Sequence, residues 1–324
     1  MDYKDKVGEE SISKVLKNTK RSFNLRIVKV VIVIAFFAWV AWMIPAALWG
    51  VQSLHQVKAS RALMDAIQFS QPDKVNSWGN SAVDRLSMSV PLRITSIPVT
   101  GRKYGEQREF AGGMSVITGK VTVPVIIGVE FLHPDLFRGI NPGRERNPET
   151  QASVLEKNAA ATVSTVDYSL NRLMNLSEAA GLLEKYDVDI CWLAVEAGIE
   201  GKVPKNMSFE GQQVLQWGIP GKLSKPGEFD YAVLKKDNAG TYEKAVLEEM
   251  KWLDENKGIL TPDRDLLQNN GISSSVEGKA AYVVKNGIKI YGLRLTGPSS
   301  ELLKLKNELN PRMMTVVNMD FWNW

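Results

Sequence analysis

The sequence predicts an α+β protein on a membrane anchor: a single N-terminal transmembrane helix followed by an extracytoplasmic α+β sandwich containing β-α-β units. Three observations predict it. Residues 30–54 carry no charged side chain. The segment just before them is dense in Lys and Arg. Beyond residue 72 the pattern changes to Val/Ile/Thr-rich runs interspersed with amphipathic helices.

The apolar run justifies the anchor. A helix rises about 1.5 Å per residue and needs about 20 apolar residues to cross a hydrocarbon core, which residues 30–54 satisfy. Trp39, Trp42 and Trp49 lie along it, Trp49 near its outer end, and Lys29 at its inner edge reaches the headgroups by snorkelling. A cleaved signal peptide would have a shorter apolar core and an A-x-A-like exit, which the run lacks. Pro45 is expected to bend the last turns. Lys14, Lys17, Lys20, Arg21, Arg26 and Lys29 precede the run, against Lys58 and Arg61 after it. The positive side stays in the cytoplasm, so the C-terminal body is exported. The expected divisions are a cytoplasmic basic segment (1–26), a transmembrane helix (27–50), a juxtamembrane helical linker (51–72) and an extracytoplasmic domain (73–324). That domain divides further into halves at 73–200 and 201–324.

In the basic segment Ile12, Val15, Leu16, Thr19 and Phe23 recur at helical spacing and lead on to Ile27, while the lysines take the other faces. Two readings stand side by side. One is a basic helix held against anionic lipid. The other is a partner-binding helix whose apolar stripe enters a groove on a cytoplasmic protein.

Within the exported body, residues 51–70 continue the helix until Gln71-Pro72 stops it. Residues 86–131 read as strands broken by glycines, and 139–148 as a charged loop. A first strand–helix–strand unit covers 161–196, with Ser177 as helix cap. A second covers 288–320, with Pro298 at the first helical position. Between them a helix over 241–256 is striped by Tyr242, Ala245, Val246, Met250 and Leu253, with Gly258 just past its end. Glu243, Glu248, Glu249, Asp254 and Glu255 are assigned to its solvated side.

Composition excludes several functions. The chain has 324 residues, 44% hydrophobic and 23% charged, with a net charge of +4 concentrated near the N-terminus. The near-balanced remainder argues against direct nucleic-acid binding. One cysteine, Cys191, and two histidines, His55 and His133, exclude a Cys/His zinc site, and no cofactor is expected. Cys191 lies in an apolar run and reads as a buried strand residue. An exported domain without disulfides fits a bacterial envelope. A hydrolytic triad would depend on His133 at a strand end, which reads as structural. Residues 113–120 miss the phosphate-loop spacing by one. The chain is therefore not expected to be an enzyme. Two aromatic clusters offer an outer contact surface: Trp217 in the Trp-Gly-Ile-Pro turn, and Phe321, Trp322 and Trp324 after the last apolar strand. Packing into the fold is the competing reading for the terminal rings.

Residues 288–305 (IKIYGLRLTGPSSELLKL) and 316–324 (VVNMDFWNW) resemble the C-terminal domain of Firmicutes membrane-bound anti-sigma factors and related sigma factor regulators. Residues 131–134 (FLHP), 193–198 (LAVEAG) and 217–220 (WGIP) follow the same pattern in the same order, and ISKVLK at 12–17 is similar to the companion N-terminal domain. The resemblance implies transcription regulation and signal transduction. An extracytoplasmic-function sigma factor would be sequestered by the cytoplasmic segment, while the outer domain senses the cell envelope. Residues 1–26 lack the His/Cys signature of zinc-containing anti-sigma domains. Binding would then rest on one helix anchored by Ile12, Val15, Leu16, Thr19 and Phe23, with affinity leaning on the bilayer or on a homo-oligomer. The alternative is an envelope binding or scaffold protein whose outer domain is the working part.

Overall fold

The computed structural model describes residues 3–70, 74–80, 89–97, 99–100, 103–104, 108–115, 120–123, 131–134, 146–157, 159–198, 217–223, 232–262 and 278–321. It divides into a first unit, Met1–Ser53, and a second, Leu54–Trp324.

Helix α1 covers Tyr3–Ser70. The helical stub, apolar run and following helix expected from sequence are thus one element. Residues 71 and 72, expected to stop it, lie outside the described residues. Strands β1 (Lys74–Asn80), β2 (Ser89–Ile97), β3 (Val99–Thr100), β4 (Lys103–Tyr104), β5 (Arg108–Ser115) and β6 (Val121–Val123) follow. Helix α2 is Pro148–Glu156, and then come β7 (Thr162–Met174), α3 (Leu176–Leu183) and β8 (Asp189–Val195). Short strands β9 (Gly218–Pro220), β10 (Lys222–Leu223) and β11 (Ala232–Val233) lead to α4 (Ala239–Glu255) and β12 (Leu260–Pro262). The chain closes through α5 (Lys279–Asn286), β13 (Ile290–Pro298), α6 (Ser299–Leu309) and β14 (Met313–Phe321).

The second unit is α+β. Its principal sheet has the order β14-β7-β13-β8-β9, every neighbouring pair antiparallel. Neither β7 and β8 nor β13 and β14 pair with each other, because in each case a strand from the other half of the body lies between them. A second sheet has the order β1-β2-β5-β6-β12, in which β12 joins β6 in parallel.

Alternation along β8 assigns side chains to the two faces of the principal sheet. Leu193 and Val195 join a core with Leu183 of α3, Val246 and Met250 of α4, Val283 of α5 and Leu302 of α6. Trp192 and Ala194 point into a second cluster with Phe131 and Tyr291. Phe131 lies on Gly292, where any Cβ would strike its ring.

Helix ends obey local chemistry, with three departures from expectation. The α3 cap is Asn175 rather than Ser177; its Oδ1 accepts from Glu178 N at 2.8 Å. Either residue type serves as a cap, and the two lie close enough for sequence to mislead. Helix α4 closes on Asn256, whose Nδ2 donates to Trp252 O at 2.8 Å, and Gly258 sits in a 3-10 turn instead of at the helix end. Pro298 precedes the first turn of α6, which ends on left-handed Asn310 at φ 44°.

One ion pair spans two neighbouring strands of the principal sheet. Arg294 Nε and Nη2 donate to Asp167 Oδ1 and Oδ2, both at 2.6 Å, across the β13–β7 register. Removing one partner from a largely desolvated bidentate pair costs about 2–4 kcal/mol. Asp167→Ala is therefore expected to lower the denaturant midpoint of the body, and an unchanged midpoint would show the pair to be energetically neutral.

Candidate functional site

The helical stripe comes first. Val15, Leu16 and Phe23 stand out from α1 at 65%, 65% and 63% exposure, and Ile27 is exposed below them. The Thr19 hydroxyl donates back to Val15 O at 2.8 Å, so its polar group is satisfied within the helix and its methyl remains on the stripe. Ile12 lies on α1 with its side chain outside the described part. Lys14, Lys17, Lys20 and Arg21 are exposed around this apolar strip. In water such a strip is an unsatisfied surface; it is suited to a groove or a bilayer. The span Lys14–Met43 has the length and composition to cross a membrane.

The other end of α1 is different. Ala59, Ala62, Leu63, Ala66, Ile67 and Phe69 are all fully buried, on every side of the helix. These turns, expected as part of a juxtamembrane helical linker, form core of the second unit. Trp192 Nε1 donates to Gln68 O at 3.3 Å, and Phe69 meets Trp217 with ring centroids 5.6 Å apart.

Trp217 is accordingly not on the outer surface. It is 0% exposed, between Phe69 and the ammonium of Lys279, which lies 5.7 Å from its ring. Its carbonyl accepts from Val195 N at 2.9 Å and the next three residues pair with β8 as β9, so the turn is drawn into the sheet. Phe321, at the end of β14, is exposed. Trp322 and Trp324 lie outside the described residues.

Glu249 is also reassigned. It is buried rather than solvated, because Arg61 of α1 donates to its Oε2 at 2.6 Å from Nη2 and 3.2 Å from Nε. The Arg61 guanidinium lies 4.1 Å from the Trp252 ring centroid, a cation–π contact. Asp65, one turn along, is fully buried, with Oδ1 accepting from Gln68 Nε2 at 2.7 Å. Burial pushes its carboxyl well above the ordinary range, and the neighbouring Glu249 adds to the effect.

The residues weighed for catalysis are placed structurally. His133 is buried edge-on to Tyr291 at 5.0 Å, with Nε2 4.0 Å from Glu196 Oε1. Cys191, expected as a buried strand residue, is only half-buried in β8; desolvation of its sulfur still pushes the thiol up to about 12, so it is a poor nucleophile at neutral pH. Among the described residues, no three His, Cys, Asp or Glu side chains converge as a metal site.

Residues 155–316, from the end of α2 to the middle of β14, match the family described as "Sigma factor regulator C-terminal". The chain is 27% identical over 168 residues to a protein of Bacillus subtilis (strain 168) named the probable anti-sigma-M factor YhdL. That alignment takes in 50% of this chain and 41% of the relative's length. No solved structure matches the chain.

Proposed function

This chain belongs to the sigma factor regulator family, and from that premise we propose that it is a membrane-anchored anti-sigma factor. Its cytoplasmic helix sequesters an extracytoplasmic-function sigma factor, and its outer body reads envelope conditions. The N-terminus faces the cytoplasm, 27–50 crosses the bilayer once, and the sandwich of sheet and helices from 73 onward lies outside. Its role is regulation, not catalysis.

One observation carries the reading: an exposed apolar stripe, Val15, Leu16, Thr19 and Phe23, set among basic residues directly before the apolar run. Basic flanking charge supports the cytoplasmic placement. Regular helical anchors are the means by which one helix fills a groove on a folded partner. A single short helix offers a small interface, so confinement to the membrane or a second copy of the chain would raise the effective concentration.

The test uses the full chain. Tagged protein purified from detergent-solubilised membranes is expected to bring down a sigma factor identified by mass spectrometry, and deletion of residues 1–26 should abolish its recovery. Recovery unaffected by that deletion would refute binding through the stub. The alternative, an envelope scaffold acting through its outer body, draws on the exposed Phe321 and Val317 of β14. It requires the outer body on an unrelated anchor to restore the null phenotype unaided.

A further inference from the structure

The last turns of α1 place an ionic cluster inside the body. Asp65 is fully buried, and the side chain of Glu249 on α4 is 6% exposed. One guanidinium serves both: Arg61 is 2.6 Å from Glu249 Oε2 but 3.9 Å from Asp65 Oδ2. The first is a charge-assisted hydrogen bond and the second is too long to be one. Asp65 Oδ2 has no hydrogen-bond partner among the described residues, whereas Oδ1 is held by Gln68. Two ionised carboxylates against one cation would leave a net negative charge in the core, which is costly; one proton removes it.

The groups facing this cluster come from α1, α4 and β8. Helix α1 contributes Arg61, Asp65 and Gln68, and α4 contributes Glu249 and the Trp252 ring under Arg61. Strand β8 contributes the uncharged Trp192 indole, bonded to Gln68 O. Beyond Phe69, Trp217 meets Lys279 of α5. Among these described groups Asp65 is the acid with the poorest compensation.

We propose that Arg61, Asp65 and Glu249 form a proton-holding latch, in which one proton on the carboxylate pair keeps the last turns of α1 seated in the body and its loss as pH rises loosens them. The latch stands on the geometry of the body alone and does not rest on sigma-factor binding; only its access to external pH depends on the proposed topology.

The sign follows from linkage. The seated carboxyl of Asp65 titrates above its ordinary range, so it keeps its proton where the released helix has lost it. Seating is strongest below about pH 4, the ordinary Asp value, and weakens as pH rises towards the raised seated value. Within that window each release frees one proton to solvent, so the opening equilibrium rises by up to about tenfold per pH unit.

Hydrogen exchange on the full-length protein in nanodiscs, from pH 4.5 to 8, reads this directly. After division by the intrinsic exchange rate, protection of residues 59–70 is expected to fall by up to about tenfold per pH unit over at least one unit. Asp65→Asn should abolish the slope and retain high protection throughout. Glu249→Gln frees Arg61 to neutralise Asp65, so the fall should move to lower pH. A wild-type protein whose protection is flat overturns the latch. So does an Asp65→Asn protein that keeps the slope, or a Glu249→Gln protein whose slope does not move. Should Asp65→Asn fail to fold, the Glu249→Gln arm decides the question by itself.

Discussion

Leu16→Asp in the full-length protein is expected to cut recovery of the captured sigma factor by about tenfold or more, and Phe23→Asp should do the same. Both side chains are about two-thirds exposed on α1, so neither substitution should disturb the fold of the free protein. The effect falls on binding. Burying a Leu or Phe side chain in a groove contributes about 1.5–3 kcal/mol, and 1.4 kcal/mol is tenfold in affinity. An aspartate adds the cost of desolvating a charge against an apolar wall. In cells, release of the sigma factor should raise transcription from its promoters. Lys17→Asp, on another face of α1, is the control: if it matches Leu16→Asp, basic charge and not the stripe holds the partner.

The second large effect concerns stability. Trp217→Ala is expected to destabilise the body by about 3–5 kcal/mol, the range for deleting a buried Trp. For a domain of this size that lowers the melting temperature on the order of 10 °C. Trp217 joins three parts of the body: Phe69 of α1, the β8–β9 pairing and Lys279 of α5. The cavity left would border all of them. A loss under about 1 kcal/mol would show that the site collapses around the missing ring and that the contacts are dispensable. Differential scanning calorimetry of the solubilised protein measures it.

What sequence alone disclosed follows from how local each determinant is. The apolar run, its basic flank and the stripe from Val15 to Phe23 depend on residues within a few turns of one another. So do β13, α6 and β14, where a Val/Ile/Leu pattern gives way to Gly297-Pro298 and then to the Leu302/Leu305 stripe. Strand order is non-local: nothing inside residues 162–195 reveals that β13 lies between β7 and β8. Glu249 reads as one more acid on a helix exterior because Arg61, its partner, lies 188 positions away. Trp217 reads as a surface aromatic because turns with Gly and Pro usually are exposed, and the pairing of Gly218–Pro220 with β8 has no local signature in three residues. Asp65 gave no signal for the same reason, since its burial is created by elements far along the chain.

The proposed division of the chain between two compartments is tested most directly by protease accessibility. Full-length protein carrying a tag at either Met1 or Trp324 is expressed, and intact spheroplasts are treated with an impermeant protease. The C-terminal tag is expected to disappear while the N-terminal tag survives on a short membrane-embedded fragment, and both should be lost once the cells are lysed. A C-terminal tag that survives until lysis would place the body in the cytosol and contradict the account.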